Sequence, residues 1–150
     1  MAPARLVDVG IGRGAFLWPL LDAFPDLRVL AVDRDQRCIA EVAAVRAGGL
    51  HRVAAARMDA HRLGLRDASA DGVTLLEVLE HLERPALAAV EALRVARRFV
   101  VVSVPSKPDE NPQHLHLFDR ASIEELLRGA GARRVSVEYV LNHIVVVAPK

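Results

Sequence analysis

A run of small residues near the start of the chain has the composition of a nucleotide-binding turn. Residues 7–14 read VDVGIGRG, so Gly10, Gly12 and Gly14 are each separated by one residue. Glycines between a strand and a helix let a ligand approach the backbone, and the first N–H groups of the helix can bind an anionic group. Asp33 follows about 20 residues later, where a carboxylate can bind the hydroxyls of a ribose. The turn and Asp33 together predict a nucleotide site.

The spacing of the glycines leaves two classes of nucleotide open. Gly10, Gly12 and Ala15 also satisfy the pattern of an NAD-binding domain. Asp8 favours a different ligand, because a carboxylate beside the turn would repel a pyrophosphate but attract the ammonium of an amino-acid group. The predicted strand pair at the end of the chain also differs from the further βα units of a dehydrogenase. A ligand with an amino-acid part is favoured, and NAD stays the competitor.

A second group of residues could bind a metal ion or move a proton. Glu77, Glu80 and His81 share one face if this segment is helical. Two carboxylates and an imidazole can bind Mg²⁺, Mn²⁺ or Zn²⁺, with His114 or His116 from a later loop as a further ligand. Without a metal, His81 or a loop histidine could act as general base. The alternative is an ordinary solvated helix face.

Composition limits the class of protein. The chain has 150 residues, which fits one domain over 1–150, and 20 basic residues balance 19 acidic ones. No apolar run is long enough to cross a membrane, and no signal peptide is recognisable, so a cytoplasmic location is expected. Cys38 alone excludes an internal disulfide. His51, His61 and His143 stand in no comparable group and are interpreted as surface or packing residues.

The elements that must position these residues alternate between strands and helices, which predicts an α/β fold with a mainly parallel sheet. Helices are expected over 14–23, over 36–46, from Glu77 onward with an apolar stripe, and from Asp119 or Ser122. The stripe consists of Leu79, Leu82, Ala86, Val90 and Leu93. Seven strands are expected, over residues 5–9, 28–32, 52–58, 72–76, 98–104, 135–140 and 144–147.

At this point the chain resembles the class I S-adenosylmethionine (SAM)-dependent methyltransferase superfamily. Asp8 followed by the Gly10, Gly12 and Gly14 pattern is similar to the first motif of that family, and residues 58–65 (MDAHRLGL) look like its adenine segment. The resemblance implies that the turn binds the methionine part of SAM and that Asp33 binds the ribose. It also implies that Asp59 and the backbone of Ala60 bind the adenine, and that Glu77 lies at the cofactor.

The segment 71–82 (DGVTLLEVLEHL) is the most distinctive part of the resemblance. Together with residues 104–106 and 114–118, it is similar to a subgroup that includes the ubiquinone-biosynthesis O-methyltransferases. This implies methyl transfer to an acceptor that is a hydroxyl of a small molecule, with Glu77, Glu80, His81 and His116 as candidate catalytic residues. The same four residues are the candidate metal ligands, because the pattern also resembles the metal site of small-RNA 3′-terminal 2′-O-methyltransferases.

Two further alternatives follow from the resemblance. The first alternative is metal-dependent methylation of RNA ends, although the chain lacks the basic face and stacking aromatic residues that nucleic-acid binding requires. Members of the superfamily usually carry helices before the first strand, whereas here that strand is expected from Arg5. We therefore expect a Rossmann-like, seven-stranded, mostly parallel sheet in a single domain without these helices. The site would be open or covered by a partner or second subunit, and a non-catalytic SAM-binding module is the other alternative.

Overall fold

The computed structural model describes residues 4–150 and contains one seven-stranded sheet flanked by helices. The strand order is β3-β2-β1-β4-β5-β7-β6. Strands β1 to β5 pair in parallel, and β7 pairs antiparallel with both β5 and β6. The strands are β1 Arg5–Val9, β2 Arg28–Asp33, β3 Val53–Arg57, β4 Ala70–Leu76, β5 Ala96–Pro105, β6 Ser136–Val140 and β7 His143–Pro149. The predicted number of strands and the antiparallel end of the sheet are confirmed.

Four helices pack on the two faces of the sheet. They are α1 Leu17–Ala23, α2 Gln36–Ala47, α3 Pro85–Val95 and α4 Arg120–Gly129. Leu6 of β1 packs in one apolar cluster with residues of α1 and α2. Val7 and Val9 point to the other face and pack with residues of α3 and α4. Strand β2 is covered on both faces, with Val29 and Ala31 in the first cluster and Val32 in the second, and such strands have the continuous apolar run by which β2 was predicted.

Helix α1 begins at Leu17, three positions after the predicted start at Gly14. The chain is still in the turn at Gly14, because the φ of 78° at this residue is incompatible with a right-handed helix. Helix α4 begins after Asp119, whose side chain accepts a hydrogen bond from the Ser122 N–H in a capping box. Of the two predicted start sites, Asp119 is therefore the N-cap.

The prediction of one helix starting at Glu77 was wrong. Glu77 has a φ of 55°, a short 3-10 turn spans Leu79–His81, and α3 begins only at Pro85. Proline is favoured at the first position of a helix and cannot continue one, so it separates the turn from α3. The buried face of α3 is formed by Ala88, Ala89, Ala92, Leu93 and Val95, whereas Ala86 and Val90 of the predicted stripe are exposed.

The carboxyl end of the chain forms a hairpin. Strands β6 and β7 are joined by Leu141, which has a φ of 54°, and Asn142. The hairpin places β7 between β5 and β6, so that His143 lies opposite Pro105 at the end of β5. Among the described residues, no helix is long and apolar enough to cross a membrane.

Candidate functional site

The glycine turn lies at the carboxyl end of β1, beside the end of β2. The Gly10 N–H donates to the Val32 carbonyl over 2.7 Å, and Gly10, Gly12 and Gly14 have φ angles of 74°, 50° and 78°. A Cβ atom at Gly10 would lie 2.5 Å from Cγ2 of Val78, whereas one at Gly12 would meet no protein atom within 4 Å. Gly10 is thus required for packing, and Gly12 presents bare backbone to an open space.

Asp33 at the end of β2 is tied directly to this turn. Its Oδ2 accepts the Gly12 N–H over 3.0 Å, and its Oδ1 accepts the Asp35 N–H over 2.8 Å. The half-buried carboxylate is therefore held in one orientation beside the open face of the turn. The structure brings together the glycine turn and the acid that the sequence singled out.

Asp8 is buried just before the turn, with 3% of its surface exposed. The Thr74 hydroxyl donates to Asp8 Oδ1 over 2.5 Å, but no cationic side chain pairs with this carboxylate among the described residues. Burial raises the pKa of Asp8 to about 6, and the Thr74 hydrogen bond opposes that rise only in part. A buried carboxylate without a cation favours a positively charged ligand group, as predicted for the ammonium of an amino acid.

Asp59 and Ala60 follow β3 and lie next in line along the same edge of the sheet. The Met58 N–H donates to the Asp33 carbonyl over 3.1 Å, which joins this segment to the end of β2. Asp59 Oδ1 accepts the His61 N–H over 2.9 Å, a bond that lowers the pKa of the Asp59 carboxyl. The Asp59 side chain is mostly exposed and Ala60 is half-buried.

Glu77 lies directly after β4, in the left-handed conformation described above. Its N–H donates to the Ser103 carbonyl over 3.0 Å, and its Oε1 accepts the Ser103 hydroxyl over 2.6 Å. Its Oε2 lies 3.5 Å from Nε2 of His143. Ser103 and His143 were not singled out as functional residues in the sequence. His143, interpreted there as a surface or packing residue, is about half exposed and faces Glu77. Pairing the end of β5 with the start of β7 could have revealed this contact.

A large open cleft of about 1010 Å³ lies on the face of the sheet beside α1. Alternate residues of β4 and β5 line it, since side chains of a strand alternate between its faces. The sheet side chains in this lining are Leu6, Thr74, Leu76, Phe99, Val101, Ser103, Val140, His143 and Val145. The lining is mostly apolar, with Glu77, Ser103 and His143 at one end. The glycine turn residues 10 and 12, Asp33 and Asp59 lie outside it, so the predicted cofactor residues and the cleft are distinct regions that meet near Glu77.

Glu80 is fully buried, in contrast to the solvated or outward-facing position that a helical segment predicts. Within residues 4–150, neither of its carboxylate oxygens has a hydrogen-bond partner. Burial, reinforced by the nearby charge of Glu77, raises the pKa of Glu80 to about 8. A buried carboxylate without a partner is costly, and such a group needs a proton or a cation.

Two histidines lie beside Glu80. His81 Nδ1 lies 3.0 Å from the Gln113 carbonyl, which leaves Nε2 facing Glu80 Oε1 at 3.8 Å. Ligand atoms of Glu80, His81 and His114 all lie within 4.8 Å of one another. His116 instead directs its Nε2 to the Leu82 carbonyl over 2.8 Å. The structure therefore groups two of the four residues predicted for a metal with His114, whose Nδ1 lies 2.9 Å from Asp109 Oδ2 and whose Nε2 lies 3.1 Å from Asn111 Nδ2. Glu77 and His116 lie outside this group.

Comparison with known proteins gives a family match over most of the chain. The family described as "Methyltransferase domain" matches residues 7–101, which include the glycine turn, Asp33, Asp59 and the 3-10 turn. A curated relative from Streptomyces fradiae, an uncharacterized 37.1 kDa protein in transposon TN4556, is 38% identical over 92 residues. That alignment covers 61% of this chain but 26% of the relative, so the chain spans about a quarter of the relative's length.

Solved structures match the fold over nearly the whole chain. A SAM-dependent methyltransferase from Aquifex aeolicus superposes with a TM-score of 0.78 and 20% identity, covering 98% of this chain and 82% of that chain. The N-terminal domain of EvdMO1, solved with S-adenosylhomocysteine bound, gives a TM-score of 0.75 and 20% identity over 97% of this chain and 74% of that chain. At such identities the likeness shows the fold.

Proposed function

The chain belongs to the methyltransferase-domain family, within the class I SAM-dependent superfamily, and we propose that it transfers the methyl group of SAM to a hydroxyl of a small molecule. The observation that carries the proposal is the bond from the Gly12 N–H to the Asp33 carboxylate. This hydrogen bond holds the Asp33 carboxylate, which can bind a ribose, beside the glycine turn, where no side chain covers the backbone of Gly12. The match to the family supports SAM as the cofactor rather than NAD.

The proposed cofactor site runs along the carboxyl edge of β1, β2, β3 and β4. In this proposal the buried Asp8 faces the ammonium of SAM, the glycine turn contacts its methionine part, and Asp33 binds the ribose hydroxyls. Asp59 and Ala60 face the adenine, and Glu77, directly after β4, is the last residue of the site along the sheet edge. The residues assigned to the cofactor are Asp8, Gly10, Gly12, Gly14, Asp33, Asp59, Ala60 and Glu77.

The lining of the cleft indicates the kind of methyl acceptor that the chain binds in this proposal. Its mostly apolar lining fits an aromatic or aliphatic body, and its polar end at Glu77 fits a hydroxyl. Val78, the next residue, packs against Gly10, so this end of the cleft adjoins the glycine turn. SAM is already activated for methyl transfer, and the protein has mainly to position the acceptor and remove its proton.

The test uses three matched acceptors with SAM carrying an isotopically labelled methyl group. We expect label in the methyl ether of para-butylphenol and little or none in the products of para-butylaniline or para-butylthiophenol. Transfer mainly to the amine or the thiol would contradict the hydroxyl assignment. Binding of S-adenosylhomocysteine without transfer to any of the three would favour the alternative of a non-catalytic SAM-binding module.

A divalent cation at Glu80, His81 and His114 is a second part of the proposal. The two unpartnered, buried oxygens of Glu80 are the observation that favours it, because a cation would satisfy them. The Gln113 carbonyl fixes the His81 ring so that Nε2 can act as a ligand. One carboxylate and two imidazoles suit Zn²⁺ or Mn²⁺ better than Mg²⁺. Such an ion would supply Lewis-acid chemistry close to Glu77.

Calorimetric titration with ZnCl₂ and MnCl₂ tests this site without any activity assay. We expect binding of one ion per chain, weakened at least about tenfold by Glu80→Gln and by His114→Gln. His51→Gln is the matched control, since His51 is exposed and lies after α2. No binding by the folded wild-type chain, or equal binding by all variants, would contradict the cation proposal.

A further inference from the structure

Three polar side chains converge at the end of the cleft nearest the glycine turn. Ser103 Oγ donates to Glu77 Oε1 over 2.6 Å, and the second carboxylate oxygen of Glu77 lies 3.5 Å from His143 Nε2. All three residues line the cleft. Glu77 is therefore held by Ser103 on one side and faces the imidazole on the other.

The backbone of Glu77 adopts an unfavourable conformation to make these contacts. Its φ of 55° is uncommon for a residue other than glycine, and its N–H is held by the Ser103 carbonyl. Strained residues of this kind persist where the surrounding structure requires them, often at functional sites. Here the strain turns the chain after β4 and places the carboxylate between Ser103 and His143.

The other histidines do not reach this position. His81 and His116, the two predicted as candidate bases, each direct a ring nitrogen to a backbone carbonyl. Over residues 4–150, His143 is the histidine found in the cleft lining. Its partners in the sheet, Pro105 and Val140, carry no charge, so Glu77 is the charged group that faces it.

We propose that His143, oriented by Glu77, binds the acceptor hydroxyl and removes its proton, while the apolar body of the acceptor lies along the cleft. This inference rests on the proposed function, which it deepens by naming the base and the acceptor class. With the ring proton on Nε2, which lies 3.5 Å from Glu77 Oε2, Nδ1 keeps the lone pair that a general base needs. Glu77 is a positioning residue, in addition to its place beside the cofactor.

The transfer step balances without any further reactant. The acceptor oxygen forms a bond to the methyl carbon of SAM while the carbon–sulfur bond breaks. The electron pair of the broken carbon–sulfur bond stays on sulfur. His143 takes the hydroxyl proton, which gives a methyl ether, neutral S-adenosylhomocysteine and an imidazolium. Because about half of the His143 side chain is exposed, the imidazolium can return the proton to solvent.

The experiment measures methylation of para-butylphenol by the wild-type chain and by His143→Gln, Glu77→Gln and His51→Gln. We expect His143→Gln to lower kcat at least about 100-fold with little change in KM, as loss of a general base does. Glu77→Gln should lower kcat less, and the exposed control His51→Gln should match wild type.

The outcomes separate this inference from the proposed function. Each variant is first titrated with S-adenosylhomocysteine, and retained affinity shows that the fold and cofactor site are intact. Unchanged kcat in His143→Gln would overturn the inference while leaving methyl transfer standing. Failure of the wild-type chain to methylate para-butylphenol, although it binds S-adenosylhomocysteine, would overturn the proposed acceptor class and this inference. Failure to bind S-adenosylhomocysteine would overturn the proposed function itself.

Discussion

In the proposed cofactor site, folding and ligand binding make opposite demands on Asp8. Its folded pKa of about 6 exceeds the ordinary 3.8, so the folded chain holds the proton more tightly than the unfolded chain. The stability contributed by this proton is present below pH 4 and is lost as the pH rises to about 6. A cationic ligand group beside Asp8 would reverse this cost, because it stabilises the ionised form.

The substitution Asp8→Asn tests both demands. Above the folded pKa we expect the variant to be more stable than wild type by about 2–3 kcal/mol, with the difference vanishing near pH 4. We expect its affinity for S-adenosylhomocysteine to fall at least about tenfold at pH 8, because the charge facing the ammonium is lost. Denaturant unfolding and calorimetry measure the two effects. Equal affinity in Asp8→Asn would remove Asp8 from the cofactor site, and Asp22→Asn, an exposed change in α1, is the control.

Gly12 allows a sharper test of the turn. A Cβ at this position meets no protein atom, so Gly12→Ala should cost only the strain of its φ of 50°, about 1 kcal/mol. If SAM lies against the bare turn, the added methyl group should still weaken S-adenosylhomocysteine binding at least about tenfold. Gly49→Ala introduces backbone strain in equally open space, away from the turn, and should leave the affinity unchanged. Equal loss of affinity in both variants would show a general effect of destabilisation.

Among the helices and strands, the sequence was informative where local rules act. The continuous apolar run of β2 follows from its burial on both faces, and the N-cap at Asp119 follows from local hydrogen bonding. The segment after β4 could not be predicted in this way. Its turn depends on the Ser103 carbonyl of a neighbouring strand, which holds the Glu77 N–H, and apolar periodicity carries no information on that contact.

The capping box of α4 gives a prediction about one helix. Asp119→Ala removes the acceptor for the Ser122 N–H and should lower the free energy of unfolding by about 1 kcal/mol. Because α4 packs on the sheet face opposite α1, S-adenosylhomocysteine affinity should not change. Thermal unfolding and calorimetry check the two expectations, with Asp26→Ala as a matched control outside any cap. If Asp119→Ala lost no more stability than Asp26→Ala, the capping box would contribute little to the free energy of unfolding.

For the whole molecule, the order of motifs along the sequence was sufficient to predict the sheet and the residues at its carboxyl edge. The glycine turn, Asp33 and Asp59 are close to their strands in sequence, so their placement follows from the βα pattern. The contact of Glu77 with His143 joins residues 66 positions apart and depends on the register of β5 with β7. The buried state of Glu80 depends in the same way on the loop that carries His114.

The carboxyl edge of this sheet is the proposed SAM site. Calorimetric titration of the purified chain with S-adenosylhomocysteine, with NAD as the competing ligand, tests it most directly. We predict saturable binding of one S-adenosylhomocysteine per chain and no binding of NAD at the same concentration. Binding of NAD instead, or no binding of S-adenosylhomocysteine by a chain that unfolds cooperatively, would contradict the proposal.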